Sequence, residues 1–72
     1  MKNLRIGNRV EVDLTRQGCK AAGYKPARLG RYIIDEVCDI TVIQIEGNFF
    51  LGQHDTGDTI WAPQNLIIEI TK

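Results

Sequence analysis

From Arg9 to Leu14 apolar and polar residues alternate strictly, with Val10, Val12 and Leu14 on one face and Arg9, Glu11 and Asp13 on the other. That period of two predicts a first strand with one buried face. Over residues 15–27 the alternation is lost, Gly18 and Gly23 interrupt any helical pattern, and Pro26 restrains the exit. A long loop of about 12 residues is expected here, a length uncommon in a small domain unless it serves a function. Residues 28–37 read as a second strand entered through Gly30, taken as a bulge or sharp bend, with Asp35 and Glu36 at its exposed end. Residues 40–46 are rich in β-branched side chains, Gly47-Asn48 supplies a turn, and Phe49, Phe50 and Leu51 begin the return strand of a hairpin. Asp55, Thr56, Gly57 and Asp58 form a second turn between 49–54 and 59–62, and 66–71 closes the chain. Five or six short antiparallel strands and no helix predict an all-β fold, a small barrel forming a single domain over residues 1–72.

The most specific local run is Ile60, Trp61, Ala62, Pro63, Gln64, Asn65, Leu66 and Ile67, in which a strand meets proline, makes a brief polar turn and resumes. Here the chain resembles the SH3-like barrels, which carry an aromatic or aliphatic residue, then Pro-x-Asn and a hydrophobic pair, folded as a strand, one 3₁₀ turn and a last strand. Pro63, Asn65, Leu66 and Ile67 follow that order. The long loop after the first strand stands where SH3 domains have their RT loop, and the Gly57-Asp58 turn before Trp61 is similar to a Tudor or KOW-type hairpin. The resemblance implies a fold with a long loop after the first strand and a 3₁₀ turn before the last; it does not by itself imply a function. Two departures matter. A proline-peptide-binding SH3 domain has paired tyrosines and an acidic RT loop, whereas this loop contains only Tyr24 and is basic. A Tudor cage for methylated side chains needs three or four clustered aromatics. Here Tyr24, Tyr32, Phe49, Phe50 and Trp61 are the whole supply, and at least two are expected in the core. Type II dihydrofolate reductases share the barrel as tetramers, but their Val-Gln-Ile-Tyr segment falls on Thr59, Ile60, Trp61 and Ala62, which keep neither the glutamine nor the tyrosine. An oligomeric enzyme of that kind is the remote alternative.

Apolar residues exceed what one barrel face requires. Ile40 and Val42 share one side of their strand while Ile43 and Ile45 take the other, and Ile67 breaks the series Leu66, Ile68, Ile70. Either a bulge shifts the face or both faces are covered, which in so small a chain implies a homo-oligomer or another protein contact.

Seventy-two residues are near the lower limit for a self-sufficient core, yet 43% are hydrophobic and ten are isoleucine. No apolar run is long enough to span a bilayer as a helix, and residues 1–5 lack the apolar stretch of a signal peptide, so the expected location is cytoplasmic, with no membrane partner. The two cysteines, Cys19 and Cys38, are too few for a disulfide framework and lack neighbours at metal-ligand spacing. Both are expected as reduced thiols, with no metal and no cofactor. His54 reads as a turn residue without a partner for general base work, and Asp35, Glu36 and Asp39 as a solvated strand end. No catalytic signature is present, and the chain is expected not to be an enzyme.

The net charge of zero conceals a separation of sign. Eight of the nine Lys and Arg residues lie in the first 31 positions, and seven of the nine carboxylates fall between Asp35 and Glu69. Arg16, Lys20, Lys25, Arg28 and Arg31 punctuate the loop region with no carboxylate nearby in sequence, although Arg28 and Arg31 could pair across strands with Asp35, Glu36 or Glu69. Trp61 either caps the core or borders a ligand surface. The pattern predicts a binding module for another protein or for a second copy of itself, using Trp61, Phe49 and Tyr24. A nucleic acid or other polyanion is the alternative partner, held by Arg16, Lys20, Lys25, Arg28 and Arg31 with Tyr24 or Tyr32 stacking on a base. A sequence pI near 6.5 weighs against that alternative, and the sequence identifies no small-molecule ligand.

Overall fold

The computed structural model describes residues 3–71. Met1 and Lys2, which belong to the opening segment read above, and Lys72 lie outside the described residues. The elements in chain order are β1 (Arg9–Asp13), α1 (Arg16–Ala21), β2 (Arg28–Leu29), β3 (Tyr32–Ile33), β4 (Val37–Glu46), β5 (Phe49–Gln53), β6 (Thr59–Pro63), a 3₁₀ turn (Gln64–Leu66) and β7 (Ile67–Ile70). Five strands form one antiparallel sheet in the order β6-β5-β4-β1-β7, and β2 and β3 form a separate two-stranded ribbon. This small all-β arrangement, with its 3₁₀ turn before the last strand, is compatible with an SH3-like barrel. Its radius of gyration of 11.0 Å matches the roughly 11 Å expected of a compact fold of this length.

The core follows the alternation of β1 directly. Val10, Val12 and Leu14 are buried, and Ile40, Val42 and Phe50 join them from β4 and β5. No side-chain polar or charged residue is buried among the described residues. The doubled apolar positions are resolved by irregular pairing within one chain. In β4 the register shifts between Val42 and Gln44, so Val42 faces the core and Ile43 faces out. In β7, Ile67 pairs with Val12 and Ile70 with Val10, three residues against two. Ile68 is thereby turned outward, half exposed. Of the two readings left open by the sequence, a shifted face accounts for both crowded segments.

Two local expectations are corrected. The first is the absence of a helix. Arg16–Ala21 is a short helix with Thr15 as its N-cap: the Thr15 Oγ1 accepts from the Gly18 N–H at 3.0 Å and donates to Asp13 Oδ1 at 2.6 Å. Gly18, read as a breaker, lies where the Asp13 carboxylate covers the helix, and a Cβ there would overlap that carboxylate. Gly23, at φ +85°, ends the helix in a conformation that L side chains adopt at a cost, and the Tyr24 N–H turns back to the Cys19 carbonyl at 2.9 Å. The loop is therefore long but partly structured.

The second correction concerns residues 28–37. Instead of one strand bent at Gly30, the chain reverses there, pairing Arg28 with Ile33 and Leu29 with Tyr32 across Gly30-Arg31. Gly30 at φ +61° permits that tight reversal. Asp35 then takes φ +43°, and its carboxylate accepts from the Arg16 N–H at 2.9 Å while standing 3.7 Å from Arg16 Nε. At the opposite end, Arg9 clamps the turn between β5 and β6. Its Nη1 and Nη2 reach the two Asp55 carboxylate oxygens at 2.9 and 3.1 Å. That pairing holds the Asp55 carboxyl below its ordinary value, chiefly through the hydrogen bond from Arg9.

Candidate binding groove

Strand alternation dictates which aromatic side chains remain accessible. Across β5 and β6, Phe50 pairs with Ala62 on the inward face, whereas Phe49 stands opposite Pro63 and Leu51 opposite Trp61. Phe50 is fully buried, but Phe49 is 37% and Trp61 48% exposed. The 3₁₀ turn is anchored beside them, because the Gln64 N–H donates to the Asn48 carbonyl and Gln64 Nε2 to the Gly47 carbonyl, both at 2.8 Å. Facing this corner is the chain that leaves α1. Tyr24 meets Phe49 edge to face, with ring centroids 5.7 Å apart at 89°, a geometry favoured by the aromatic quadrupole.

Between these walls lies an open groove of about 230 Å³. It is lined by Leu14, Cys19, Tyr24, Lys25, Pro26, Ala27, Arg28, Phe49, Ile60, Trp61, Ala62, Pro63 and Leu66. Sites for drug-sized molecules run roughly 300–1,000 Å³, so this groove has room for about one or two side chains. The lining carries two cations and no carboxylate. Among the described residues, the ion pairs are Arg9 with Asp55 and Arg16 with Asp35; Lys20, Lys25, Arg28 and Arg31 have none.

The nine residues singled out in the sequence fall into two groups. Tyr24, Lys25, Arg28, Phe49 and Trp61 line the groove together. Arg16, Lys20, Arg31 and Tyr32 do not. Arg16 is occupied by Asp35, Lys20 is exposed on α1, and Arg31 and Tyr32 are exposed on the β2–β3 ribbon. The cross-strand pairing allowed for Arg28 and Arg31 does not form among the described residues: Asp35 is taken by Arg16, and neither guanidinium is ion-paired with Glu36 or Glu69. The expectation of at least two core aromatics is also corrected. Phe50 alone is buried, because the small interior is filled by Val10, Val12, Leu14, Ile40 and Val42. Trp61 belongs to the surface, not to the core. Sequence reasoning passed over Pro26, Ile60, Pro63 and Leu66 as groove residues; of these, Pro63 and Leu66 were already marked as the turn motif, the one signal that could have placed them.

The remaining reactive groups are arranged structurally. Cys19 and Cys38 are both free and buried. Burial, then the nearby Glu36 carboxylate, pushes the Cys38 thiol up and makes it a poorer nucleophile at neutral pH. His54 serves its turn, with Nδ1 accepting from the Thr56 N–H at 3.3 Å. Among the described residues no three His, Cys, Asp or Glu side chains gather in a metal-holding arrangement, and no helix is long and apolar enough to cross a membrane.

The fold and groove define a class: a small all-β protein presenting an aromatic-walled, cation-edged surface groove. Compared with known proteins, the chain matches no family model, no curated sequence and no solved structure.

Proposed function

We propose that this protein is a non-catalytic binding module of the SH3-like barrel superfamily, and that its groove receives a segment of another protein or of a second copy of the chain. The superfamily reading is supported by the sheet order β6-β5-β4-β1-β7, by the long excursion between β1 and β4, and by the Pro63–Leu66 turn that joins β6 to β7. One observation carries the functional reading: Tyr24, Phe49 and Trp61 converge on a single groove while each stays more than a third exposed. Exposed aromatics are costly to leave in water and are the residue types that anchor protein interfaces. A cage for a methylated cation is disfavoured despite the three rings, because Lys25 and Arg28 share the groove and no carboxylate does.

Binding of a polyanion is the second reading, favoured by the lack of ion-pair partners at Lys20, Lys25, Arg28 and Arg31. A library of short immobilised peptides, presented to the full chain and to Trp61→Ala, tests the first reading against it. Peptides retained by the parent chain should lose about 2 kcal/mol, roughly thirtyfold in affinity, on truncation of the tryptophan, with far-ultraviolet circular dichroism unchanged. Equal retention by both chains rejects the groove. Binding confined to oligonucleotides, and falling steeply with salt, establishes the polyanion reading instead.

A further inference from the structure

The chemistry of the occupant is written in the groove's charge. Lys25 and Arg28 line it, no carboxylate does, and neither cation has an ion-pair partner among the described residues. Its floor is apolar, with Ile60, Pro63 and Leu66 beside the aromatic wall. We propose that the groove selects an extended, acidic segment of a different protein, one that seats an apolar side chain on this floor and offers a carboxylate to Lys25 and Arg28. The inference rests on the protein-docking reading above and deepens it.

Three observations choose this occupant over others. A second copy of the chain supplies the wrong shape. Its carboxylates Glu11, Asp39 and Glu69 sit on paired strands of the sheet, Asp35 is held by Arg16, and Asp55 is held by Arg9. Asp13 and Asp58 accept from the Thr15 and Thr56 hydroxyls and Glu46 from Gln44, so outside strands, ion pairs and such contacts a second copy offers the exposed Glu36, one charge against two cations. Single-stranded nucleic acid needs successive open ring faces on which bases stack. Tyr24 and Phe49 are instead packed edge to face, so one ring occupies the other's face. A volume of about 230 Å³ suits one or two side chains projecting from an extended backbone. A carboxylate beside Lys25 and Arg28 is also drawn partly out of water by the groove walls, where a charge-assisted hydrogen bond is stronger than at an open surface.

The test uses three fluorescent peptides with the same Leu-Pro centre, flanked by Glu, Gln or Lys, and an oligothymidylate of similar length. Each is titrated into the full chain by fluorescence anisotropy at physiological salt. The Glu-flanked peptide should bind about tenfold more tightly than the Gln-flanked one, and the Lys-flanked one least. The double variant Lys25→Glu, Arg28→Glu should invert that order, and Lys25→Gln, Arg28→Gln should flatten it; all four changes are on exposed side chains, and thermal unfolding checks that the fold is kept. If Glu and Gln peptides bind equally and Trp61→Ala abolishes both, the docking site stands and the acidic preference is wrong. If none of the peptides binds, or the oligothymidylate binds best, both readings fall. A doubling of solution mass without peptide, lost on charge reversal, assigns the groove to a second copy and overturns the inference.

Discussion

Gly52 carries a packing role that no local pattern announces. It lies in β5 opposite Val42, and a Cβ at this position would overlap the Ile40 side chain and press on the Phe50 ring. Ile40, Val42 and Phe50 are all fully buried, so the intruding methyl has no free space to displace them into. Gly52→Ala should therefore destabilise the fold by about 1–3 kcal/mol, the range for overpacked cores, as read by urea unfolding. Adding Ile40→Val should recover part of that loss, because the two substitutions compete for one volume. Strictly additive costs would reject the proposed contact. Trp61 illustrates the same limit from the opposite side. Ile60, Trp61, Ala62 and Pro63 are apolar on both faces of the strand, so alternation could not say which face is wet. Only the pairing of Leu51 with Trp61 and of Phe50 with Ala62 decides it.

The helix α1 forms one wall of the groove through Cys19 and the chain that leaves it, and it is the element that sequence pattern missed. A six-residue helix is too short to display a period, and its two flanking or internal glycines argue against helix on propensity alone. Its stability comes from its ends and from burial of Cys19, not from propagation. Thr15→Ala removes both the bond accepted from the Gly18 N–H and the bond donated to Asp13. The expected loss is about 1 kcal/mol in urea unfolding, the usual worth of an N-cap, with Thr15→Ser retaining most of it. An alanine variant as stable as the parent would mean that tertiary packing alone holds the helix. The hairpins around Gly47-Asn48 and residues 55–58 were legible because turn chemistry and alternating flanks agree there. The ribbon of β2 and β3 was not, because two-residue strands carry no periodicity, and Gly30 signals a bulge and a reversal equally well.

Charge separation, visible in the sequence as a bias between the two parts of the chain, becomes a division between surfaces. The groove edge carries Lys25 and Arg28, while Glu11 of β1 stands directly opposite Asp39 of β4 and Glu69 of β7. Three carboxylates in one cross-strand row are mutually repulsive, and such like-charge pairs cost roughly 0.2–1 kcal/mol each. Arg9 is the cation beside them, yet its guanidinium is bound to Asp55, with Asp39 only a lesser influence. Glu11 is the common neighbour of the other two, so neutralising it relieves both contacts at once. Glu11→Gln should accordingly stabilise the chain by about 0.5–1 kcal/mol at low ionic strength. The gain should shrink on raising salt to 1 M, where the screening length falls to about 3 Å. Glu69→Gln, which removes only one of the two contacts, should gain less. A gain at Glu11 that ignores salt would assign the effect to strand propensity instead of repulsion. Retaining a row that weakens the fold leaves the sheet face negative and the groove positive, so an acidic segment approaching in solution is repelled by one surface and drawn to the other. Neutralising the row should therefore remove that repulsion and speed the segment's association while leaving its dissociation unchanged, since the row lies outside the groove.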